Sequence, residues 1–371
     1  SYSFKVAISS GYKAGEGFAV KVNGDALTAV DGVYTISNIT ENQIITVEGV
    51  EKKPVTGTEV DVIWKNFRNS DVNMAITNAK TPISAEDAEL KWKVGFLSGS
   101  FAAAPSSQII VDNAIIIMSG KTLQKRSLET GDLIASAAPS YGYTPPVYAE
   151  GLIICPLGRG TVEAFNAKTL EKVWTFTDVL GGQALSPITY ANGKVFTGFW
   201  ISESENANYV CLDVKTGKLN WSYTSAGGFY WAGALAVGDY IVVGTDDASA
   251  ASNPTTSKLL TFKQTYGETE QVAPVSSLTL TNMGDQRSAI AYANGRLYFT
   301  TKAGYLASAA INSSTGTLSD LKSVKYAGQI TSTPVVYGDE VYFGLGDKDM
   351  TDPGAFVAAD AATLQECYRV A

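Results

Sequence analysis

Three aspartates near the end of the chain have the spacing that best suits a metal ion. Asp347, Asp349 and Asp352 stand in a polar stretch between Gly346 and Gly354. Carboxylate and carbonyl oxygens are the ligands that calcium, a hard cation, prefers. The stretch lacks the Asp-x-Asp-x-Asp-Gly run and the distal glutamate of a complete calcium loop. We therefore treat the three aspartates as a candidate calcium site with a partial ligand pattern.

Carboxylates could also act in pairs. Glycan cleavage needs one carboxyl group as acid and a second as nucleophile or base. Asp285 lies in a short link between predicted strands, and Asp246 and Asp247 begin a long loop that could supply its partner. Nothing in the spacing brings these residues together. A glycan-cleaving enzyme is therefore kept as an alternative.

The composition removes several other kinds of chemistry. The chain has no histidine, and histidine is the commonest general base and transition-metal ligand. Cys155, Cys211 and Cys367 are far apart in strand-like runs, and we interpret them as small core residues. A net charge of -8 argues against a nucleic-acid partner. No apolar run reaches the about 20 residues of a membrane span, and the first residues of this sequence do not show the basic region and apolar stretch typical of a signal peptide.

Residues 1–55 are predicted to form a small all-β module. Apolar and polar residues alternate there, and Asn23-Gly24 and Asp31-Gly32 are turn signals between strands. The stretch resembles the immunoglobulin-like modules repeated in secreted and wall-attached bacterial proteins, which implies a β-sandwich-like spacer. Lys52-Lys53-Pro54 predicts a linker, because proline cannot extend a central strand.

Beyond the linker the chain repeats with a period of about 40 to 50 residues, which indicates a stacked or radial repeat fold. The clearest copy is Ser186 to Ser225. It predicts four strands, A to D, with an Asn192-Gly193 turn after strand A and a Lys215-Thr216-Gly217 turn before strand D. Four such strands make one blade of a β-propeller.

The turn between strands C and D carries the most specific pattern. Asp213 caps its own backbone, Gly217 permits positive φ, and Trp221 is placed to wedge between neighbouring blades. Degenerate copies begin at Glu129, Asn166, Asn312 and Asp360. The pattern resembles the pyrroloquinoline-quinone-like, or quinoprotein-type, β-propeller repeat family. This resemblance implies an all-β propeller of four-stranded blades over residues 56–371.

Strand A recurs with a Tyr or Val before a polar turn, and six such anchors predict six blades. The anchors are at Val111, Tyr148, Tyr190, Val237, Tyr292 and Tyr337. Glu59 to Val94, which ends in Leu90-Lys91-Trp92 like a strand D, is predicted to supply strands for a further blade. The expected count is therefore about seven, with the two ends closing the ring and removing free sheet edges.

Strand parity predicts the binding face. The links from strand D to the next strand A, and the B-to-C loops, emerge on one face of a four-stranded blade, and loops that grow on one face usually carry binding. The residues predicted to ring the channel mouth are Tyr141, Tyr143, Gln183, Phe229, Tyr230, Trp231, Asp285, Arg287 and Gln329. Aromatic faces and amides suit a carbohydrate or a protein ligand. In the alternative interpretation, Tyr230 and Trp231 only pack the blades.

These patterns favour a non-catalytic recognition protein, a rigid platform that binds a carbohydrate or a protein at the channel mouth. The resemblances imply an extracellular or cell-surface location. The quinoprotein resemblance also implies an alternative, a quinone-dependent oxidoreductase. Enzymes of that family generally have eight blades, a calcium ion, an aspartate base and, in several branches, adjacent cysteines.

This chain is short, has no adjacent cysteines and offers no aspartate that matches the catalytic base, so pyrroloquinoline quinone is not expected. A last alternative is an assembly scaffold like the outer-membrane propeller lipoproteins that share the repeat. That alternative rests on fold analogy alone.

Overall fold

The computed structural model describes the chain except for residues 10, 97–104, 141, 143, 247–256, 268–270, 327, 347–353 and 371. The chain divides into two compact units, Ser1–Val55 and Thr56–Ala371. Apart from a single-turn 3-10 helix at Ala85–Asp87, the regular structure of the described residues consists of β-strands. A helix with the length and apolarity to cross a membrane is not found in this described part of the chain.

The first unit is a small all-β unit of two sheets. Its strands are β1 (Tyr2–Phe4), β2 (Tyr12–Val22), β3 (Asp25–Ala26), β4 (Tyr34–Ile36) and β5 (Ile45–Lys52). Strand β1 pairs with β4, and β2 pairs with both β3 and β5. Val20 and Ile36 are buried, and Asn23 and Gly24 take positive φ at the predicted turn.

The second unit begins with the short strand β6 (Val62–Trp64) and continues with four-stranded blades. Blade 1 is β7 (Ile109–Val111), β8 (Ala114–Ser119), β9 (Thr122–Ser127) and β10 (Leu133–Ala137). Blade 2 is β11 (Val147–Ala149), β12 (Leu152–Pro156), β13 (Thr161–Asn166) and β14 (Lys172–Thr177). Blade 3 is β15 (Thr189–Ala191), β16 (Lys194–Gly198), β17 (Asn206–Asp213) and β18 (Leu219–Ala226).

Three further blades follow with the same strand order. Blade 4 is β19 (Leu235–Val237), β20 (Tyr240–Gly244), β21 (Lys258–Lys263) and β22 (Ser276–Thr279). Blade 5 is β23 (Ala291–Ala293), β24 (Arg296–Thr301), β25 (Tyr305–Ile311) and β26 (Leu318–Lys325). Blade 6 is β27 (Val335–Tyr337), β28 (Glu340–Leu345), β29 (Ala355–Asp360) and β30 (Glu366–Val370). The predicted all-β propeller of four-stranded blades is confirmed.

The predicted use of Glu59 to Val94 for a further blade is wrong. In the described residues of that stretch the regular structure is β6, which adds to β7 as the innermost strand of blade 1, and the turn at Ala85–Asp87. The six blade sheets of the described residues therefore replace the expected count of about seven. Backbone groups of Asp61, Lys65 and Val72 bond to the inner strands of blades 1, 2 and 5, so this part of the stretch adds to existing blades instead of forming a sheet of its own.

The turns between strands C and D have the predicted chemistry. Asp213 Oδ1 accepts hydrogen bonds from the amide and hydroxyl of Thr216, at 2.9 and 2.7 Å. Gly217 has a φ of 68° and lies against the ring of Trp174, where a Cβ atom would collide with the indole. Only glycine satisfies both conditions without strain. Blade 2 and its neighbour are therefore in contact at this turn.

Tryptophans from the preceding part of the chain bond to three of the turns between strands C and D, as the pattern predicts. Trp174 Nε1 donates to Val214 O at 3.0 Å, and Trp221 Nε1 donates to Gln264 O at 3.2 Å. Each indole belongs to strand D of one blade and each acceptor to the following blade. Trp92 makes the corresponding bond to Leu128 O of blade 1, at 3.1 Å. The predicted wedge role of Trp221 is confirmed.

Apolar clusters fill the interfaces between successive blades from blade 1 to blade 6. Burial of this surface is the main driving force for assembling such sheets. Cys155 and Cys211 are buried in two of the clusters, as expected. Cys367 is exposed, so its prediction as a core residue is wrong, because β30 is the outer strand of blade 6.

Residues 57–75, here called the channel segment, run along the inner strands of the propeller. Asp61 O accepts a hydrogen bond from Asp112 N in blade 1, and Lys65 O accepts from Tyr148 N in blade 2, each at 2.8 Å. Val72 O accepts from Tyr292 N in blade 5 at 3.1 Å. These bonds satisfy backbone groups on the unpaired inner edges of three blades.

Polar side chains of the channel segment reach the remaining blades. Asn73 Nδ2 donates to Ile290 O at 2.9 Å and to Ala234 O at 3.4 Å, which joins blades 5 and 4. Arg68 donates to Thr333 O at 2.8 Å and to Pro334 O at 3.2 Å, beside blade 6. A cavity of about 20 Å³ separates the segment from blades 3 and 4. Such a space holds about one water molecule, so the channel is filled by the chain itself.

We predict that Arg68→Ala lowers the free energy of unfolding by about 2–3 kcal/mol, because hydrogen bonds from a charged group contribute about 1.5–3 kcal/mol. Burial lowers the pKa of Arg68 to about 10, so the guanidinium is still charged at neutral pH. Urea denaturation followed by tryptophan fluorescence measures the change. The matched control is Lys80→Ala at an exposed position of the same unit, which should change stability by less than about 0.5 kcal/mol. Equal stability of the two variants would contradict the role given to Arg68.

Candidate functional site

The channel mouth is a pocket of about 320 Å³ to which all six blades contribute. Its lining residues precede the first strand of each blade: Pro105, Ser106, Ser107, Pro145, Leu185, Pro187, Trp231, Arg287, Ala289, Thr331 and Thr333. Phe67 of the channel segment lines the same pocket. The mouth is therefore a shallow cup above a filled channel, and the links from strand D to strand A supply its wall.

Arg287 is the centre of a charged cluster beside this cup. Its Nη2 lies 2.6 Å from Asp246 Oδ2, 3.1 Å from Asp285 Oδ2 and 3.3 Å from Glu203 Oε1. Its Nε lies 3.1 Å from the same Asp246 oxygen. Lys302 Nζ is 3.6 Å from both Glu203 and Asp285. Loops of three blades thus meet through one guanidinium.

The pKa of Asp246 reflects the charge balance of this cluster. The side chain of Asp246 is completely buried, and that of Arg287 is 9% exposed. Burial and the nearby charge of Asp285 raise the pKa of Asp246 to about 8, against the opposing effect of Arg287. Three carboxylates face the two cations Arg287 and Lys302. One retained proton therefore brings the cluster to neutrality.

One aromatic ring, that of Tyr230, stacks on the guanidinium of Arg287, and two tryptophans pack against Tyr230. The Cζ atom of Arg287 lies 4.4 Å from the ring centroid of Tyr230, a cation–π geometry. The centroids of Trp200 and Trp231 are each 4.7 Å from that of Tyr230. Trp231 has a φ of 58°, a left-handed conformation that is costly for a bulky residue. Backbone strain of this kind concentrates at functional sites. Here the left-handed backbone of Trp231 places its indole in the wall of the cup.

The structure brings some of the predicted residues together. Tyr230, Trp231, Asp285 and Arg287 form one contiguous group. Gln183 is exposed and joins this group through its backbone, which exchanges hydrogen bonds of 2.7 and 3.0 Å with Trp200. The packing contacts of Tyr230 and Trp231 are therefore present in the structure, whereas ligand binding by these side chains stays a prediction.

Other predicted residues lie elsewhere. Phe229 is completely buried in the cluster between blades 3 and 4, so its prediction as a ligand-binding residue is wrong. The ring packs 5.2 Å from that of Tyr209 because the link turns inward before it reaches Tyr230. Gln329 pairs with Gly346 beside blade 6. The predicted residues Tyr141, Tyr143, Asp347, Asp349 and Asp352 lie outside the described residues.

Sequence reasoning missed several members of the site. Phe67 was assigned to a blade that does not form, and Lys302 follows a strand with no motif to mark it. Trp200 carries no motif that marks it as part of a site. A partial signal exists for Glu203, because it lies in a B-to-C loop and those loops are predicted to emerge on the binding face.

Acid–base catalysis does not suit these carboxylates. Asp246 offers no exposed atom and is bonded twice to Arg287. Asp285 and Glu203 share the same guanidinium, so the described carboxylates of the mouth are committed to charge balance. Groups of three or more metal-binding side chains are not found among the described residues, and the candidate calcium site falls outside them.

A quinone cofactor also fits poorly. Pyrroloquinoline quinone is a flat aromatic tricarboxylate, which needs several free cations and room to stack. The channel is occupied by residues 57–75, and Arg287 is already surrounded by Asp246, Asp285 and Glu203. The mouth therefore does not provide a complementary site for such a group.

We predict that at pH 9, where Asp246 is ionised because its pKa is about 8, Arg287→Met lowers the free energy of unfolding by about 3–5 kcal/mol, the usual cost of removing one partner from a buried ion pair. Asp246 would be left buried without its guanidinium. Chemical denaturation measures the loss. The control Arg369→Met removes an exposed pair with Glu366 on β30, which should cost less than about 1 kcal/mol. Comparable losses in both variants would show that the cluster is not a special structural element.

We also predict that Asp246 makes stability depend on pH. In the unfolded chain this carboxyl has the ordinary aspartate pKa of 3.8, whereas in the folded protein its pKa is about 8. The contribution is therefore fully present below pH 3.8 and is lost as the pH rises through about 8. Urea denaturation from pH 5 to 9 should show a smaller pH dependence in Asp246→Asn than in the unchanged protein. The exposed Asp339→Asn is the control, and an unaltered pH profile in Asp246→Asn would refute the assignment.

Comparisons with solved structures support the fold. BamB from Moraxella catarrhalis superposes with a TM-score of 0.53 at 15% identity, over 75% of this chain and 76% of that chain. A quinohemoprotein alcohol dehydrogenase from Comamonas testosteroni gives 0.56 at 11% identity, over 72% and 61%. A europium-containing methanol dehydrogenase gives 0.60 at 12% identity, over 83% and 78%. At these identities the likeness concerns the fold alone, and the propeller therefore supports more than one function.

Comparison of sequences is more specific. No curated protein matches the chain. The family model described as outer membrane protein assembly factor BamB matches residues 158–367, which run from blade 2 into the last strand of blade 6. That range is more than half of the chain. The chain therefore belongs to the outer membrane protein assembly factor BamB family.

Proposed function

We propose that this chain is a non-catalytic, protein-binding platform of the cell envelope that holds a segment of a partner protein at the channel mouth. One observation carries the proposal: six blades converge on a single cup of about 320 Å³, walled by Trp231 and Arg287. Tryptophan and arginine are enriched among the residues that dominate binding energy at protein interfaces. A rigid cup with these two side chains suits the anchoring side chains of a partner.

The size of the cup favours a protein ligand over an oligosaccharide. Its volume of about 320 Å³ is at the lower end of ligand pockets and matches one or two anchoring side chains. Sugar recognition by stacking needs open aromatic faces. One face of Tyr230 is covered by Arg287, and Trp200 and Trp231 pack beside the ring. The carbohydrate ligand expected from the sequence is therefore the weaker candidate.

Family membership supports a protein partner and an envelope location. The family is described as an outer membrane protein assembly factor, a role that depends on contact with other proteins. An extracellular or cell-surface position and an immunoglobulin-like spacer role for Ser1–Val55 belong to the proposal as predictions. The same holds for calcium at Asp347, Asp349 and Asp352.

Site-specific photo-crosslinking in the native host tests the proposal. A photoreactive phenylalanine at Ser107, an exposed residue of the cup, should give covalent adducts with one partner protein. The same group at Lys218, exposed on the turn between strands C and D of blade 3, should not, because those turns lie on the opposite face. Trp231→Ala should reduce the Ser107 adduct by about fivefold or more, as expected for an anchoring residue.

Two results would contradict the proposal. Equal labelling from Ser107 and Lys218, or no adduct from either, would show that the cup does not engage a protein. Binding of the purified protein to a glycan array that disappears in Trp231→Ala would assign the cup to a carbohydrate. Circular dichroism and thermal melting must show that each variant is folded.

A further inference from the structure

A second and larger pocket opens between blades 1 and 2. Its volume is about 610 Å³, well within the range of ligand-binding pockets. Its polar lining includes Lys121, Thr144, Arg159, Glu163, Lys172 and Gln183. We call it the interblade pocket. Leu185 lines both this pocket and the cup at the channel mouth, so the two sites adjoin on one face.

Glu163 provides a hydrogen-bond acceptor that no described group uses. The residue lies in β13 and is 3% exposed. Its Oε1 accepts from Lys172 Nζ at 2.7 Å, whereas its Oε2 is buried and has no partner among the described residues. A buried acceptor without a donor is unfavourable, and more so when it is charged. The pocket is therefore arranged to receive a donor at this oxygen.

Two cations border the same pocket. Lys121 follows strand B of blade 1, and Arg159 occupies the corresponding turn of blade 2. Both side chains are exposed, and within the described part of the chain neither forms an ion pair. Because Lys172 is neutralised by Glu163, the pocket has two positive charges in excess. The whole chain has a net charge of -8, so this is a local attraction for an anion.

We infer that the interblade pocket binds an extended acidic segment of the same partner protein, an inference that rests on the proposed function. Carboxylates of the segment pair with Lys121 and Arg159, and a backbone N–H of the segment donates to Glu163 Oε2. A peptide supplies both groups at short intervals along one chain. Leu185 joins the two sites, so a segment anchored in the cup can continue into this pocket.

Fluorescence anisotropy with a labelled peptide of repeating Glu-Ser-Gly sequence tests the inference. The unchanged protein should bind this peptide, should not bind its Lys-Ser-Gly counterpart, and should bind more weakly as salt screens the ion pairs. The double variant Lys121→Ala/Arg159→Ala should lower the affinity about tenfold or more, as loss of two charged contacts predicts. Lys218→Ala, on the opposite face, is the matched control and should leave the affinity unchanged.

The direction in which Glu163→Gln changes the peptide affinity distinguishes the two possible roles of this carboxylate. A bystander carboxylate would repel an acidic peptide, so its neutralisation would raise the affinity. A carboxylate that accepts the peptide N–H would lose its stronger, charged hydrogen bond, and the affinity should fall about threefold or more. Retained thermal melting must show that the variant folds. A raised affinity in Glu163→Gln overturns the assignment of that oxygen.

The two proposals can fail separately. Trp231→Ala should leave binding of the short acidic peptide unchanged, because its side chain belongs to the cup. Adducts from Ser107 together with no acidic-peptide binding would overturn the inference and leave the proposed function intact. Peptide binding that depends on Lys121 and Arg159, without adducts from Ser107, would support an acidic-ligand site while refuting the cup as the partner's anchor.

Discussion

The inner edges of the blades impose the constraint on which the propeller depends. Each first strand pairs with the second strand of its blade on one side, so its other edge presents backbone groups that need partners. Strand β6 and the rest of the channel segment supply these partners for several blades at once. Arg68 and Asn73 extend the same role to blades 4, 5 and 6 through side chains. Residues 57–75 thus occupy the channel and give the inner strands hydrogen-bond partners that water would otherwise provide.

Filling the channel decides where a ligand can bind. A partner cannot pass through the filled ring, which supports the proposed recognition at its face, where Phe67 lines the inner end of the cup. There the wall is stiffened by the cluster around Arg287, which joins loops of three blades by ion pairs and stacks on Tyr230. The carboxylates that could have served catalysis instead hold this guanidinium. The same contacts thus favour a rigid binding surface and disfavour acid–base chemistry.

In our proposals, the cup and the interblade pocket bind chemically different parts of one ligand. The cup offers a strained indole and a buried guanidinium, which suit apolar anchoring side chains. The interblade pocket offers exposed cations at its border and, within it, the Glu163 oxygen that no described residue bonds. A ligand that meets both must be extended, apolar in one part and acidic in another. Protein segments have this character more readily than sugars or flat cofactors.

The sequence by itself determined the blades and their turns, because these depend on local chemistry. The period of the repeat, the self-capping Asp213, the left-handed Gly217 and the wedge Trp221 can all be recognised within one copy, and the structure contains them as expected. The absence of histidine likewise limited the available chemistry before any geometry was known. The face of the binding links followed from strand parity.

Only the tertiary structure decided which residues meet. Phe229 and Tyr230 are adjacent in sequence, yet the first is buried between blades and the second stacks on Arg287. The sequence of residues 57–75 is typical of β-strands, but the backbone of this segment bonds to residues that lie far along the chain, in blades 1, 2 and 5. Glu163 lies in an ordinary strand pattern, and only the folded structure shows that its buried Oε2 has no hydrogen-bond partner among the described residues. Contacts between residues far apart in the chain leave no local sequence pattern, because they form only when neighbouring blades pack around the propeller axis.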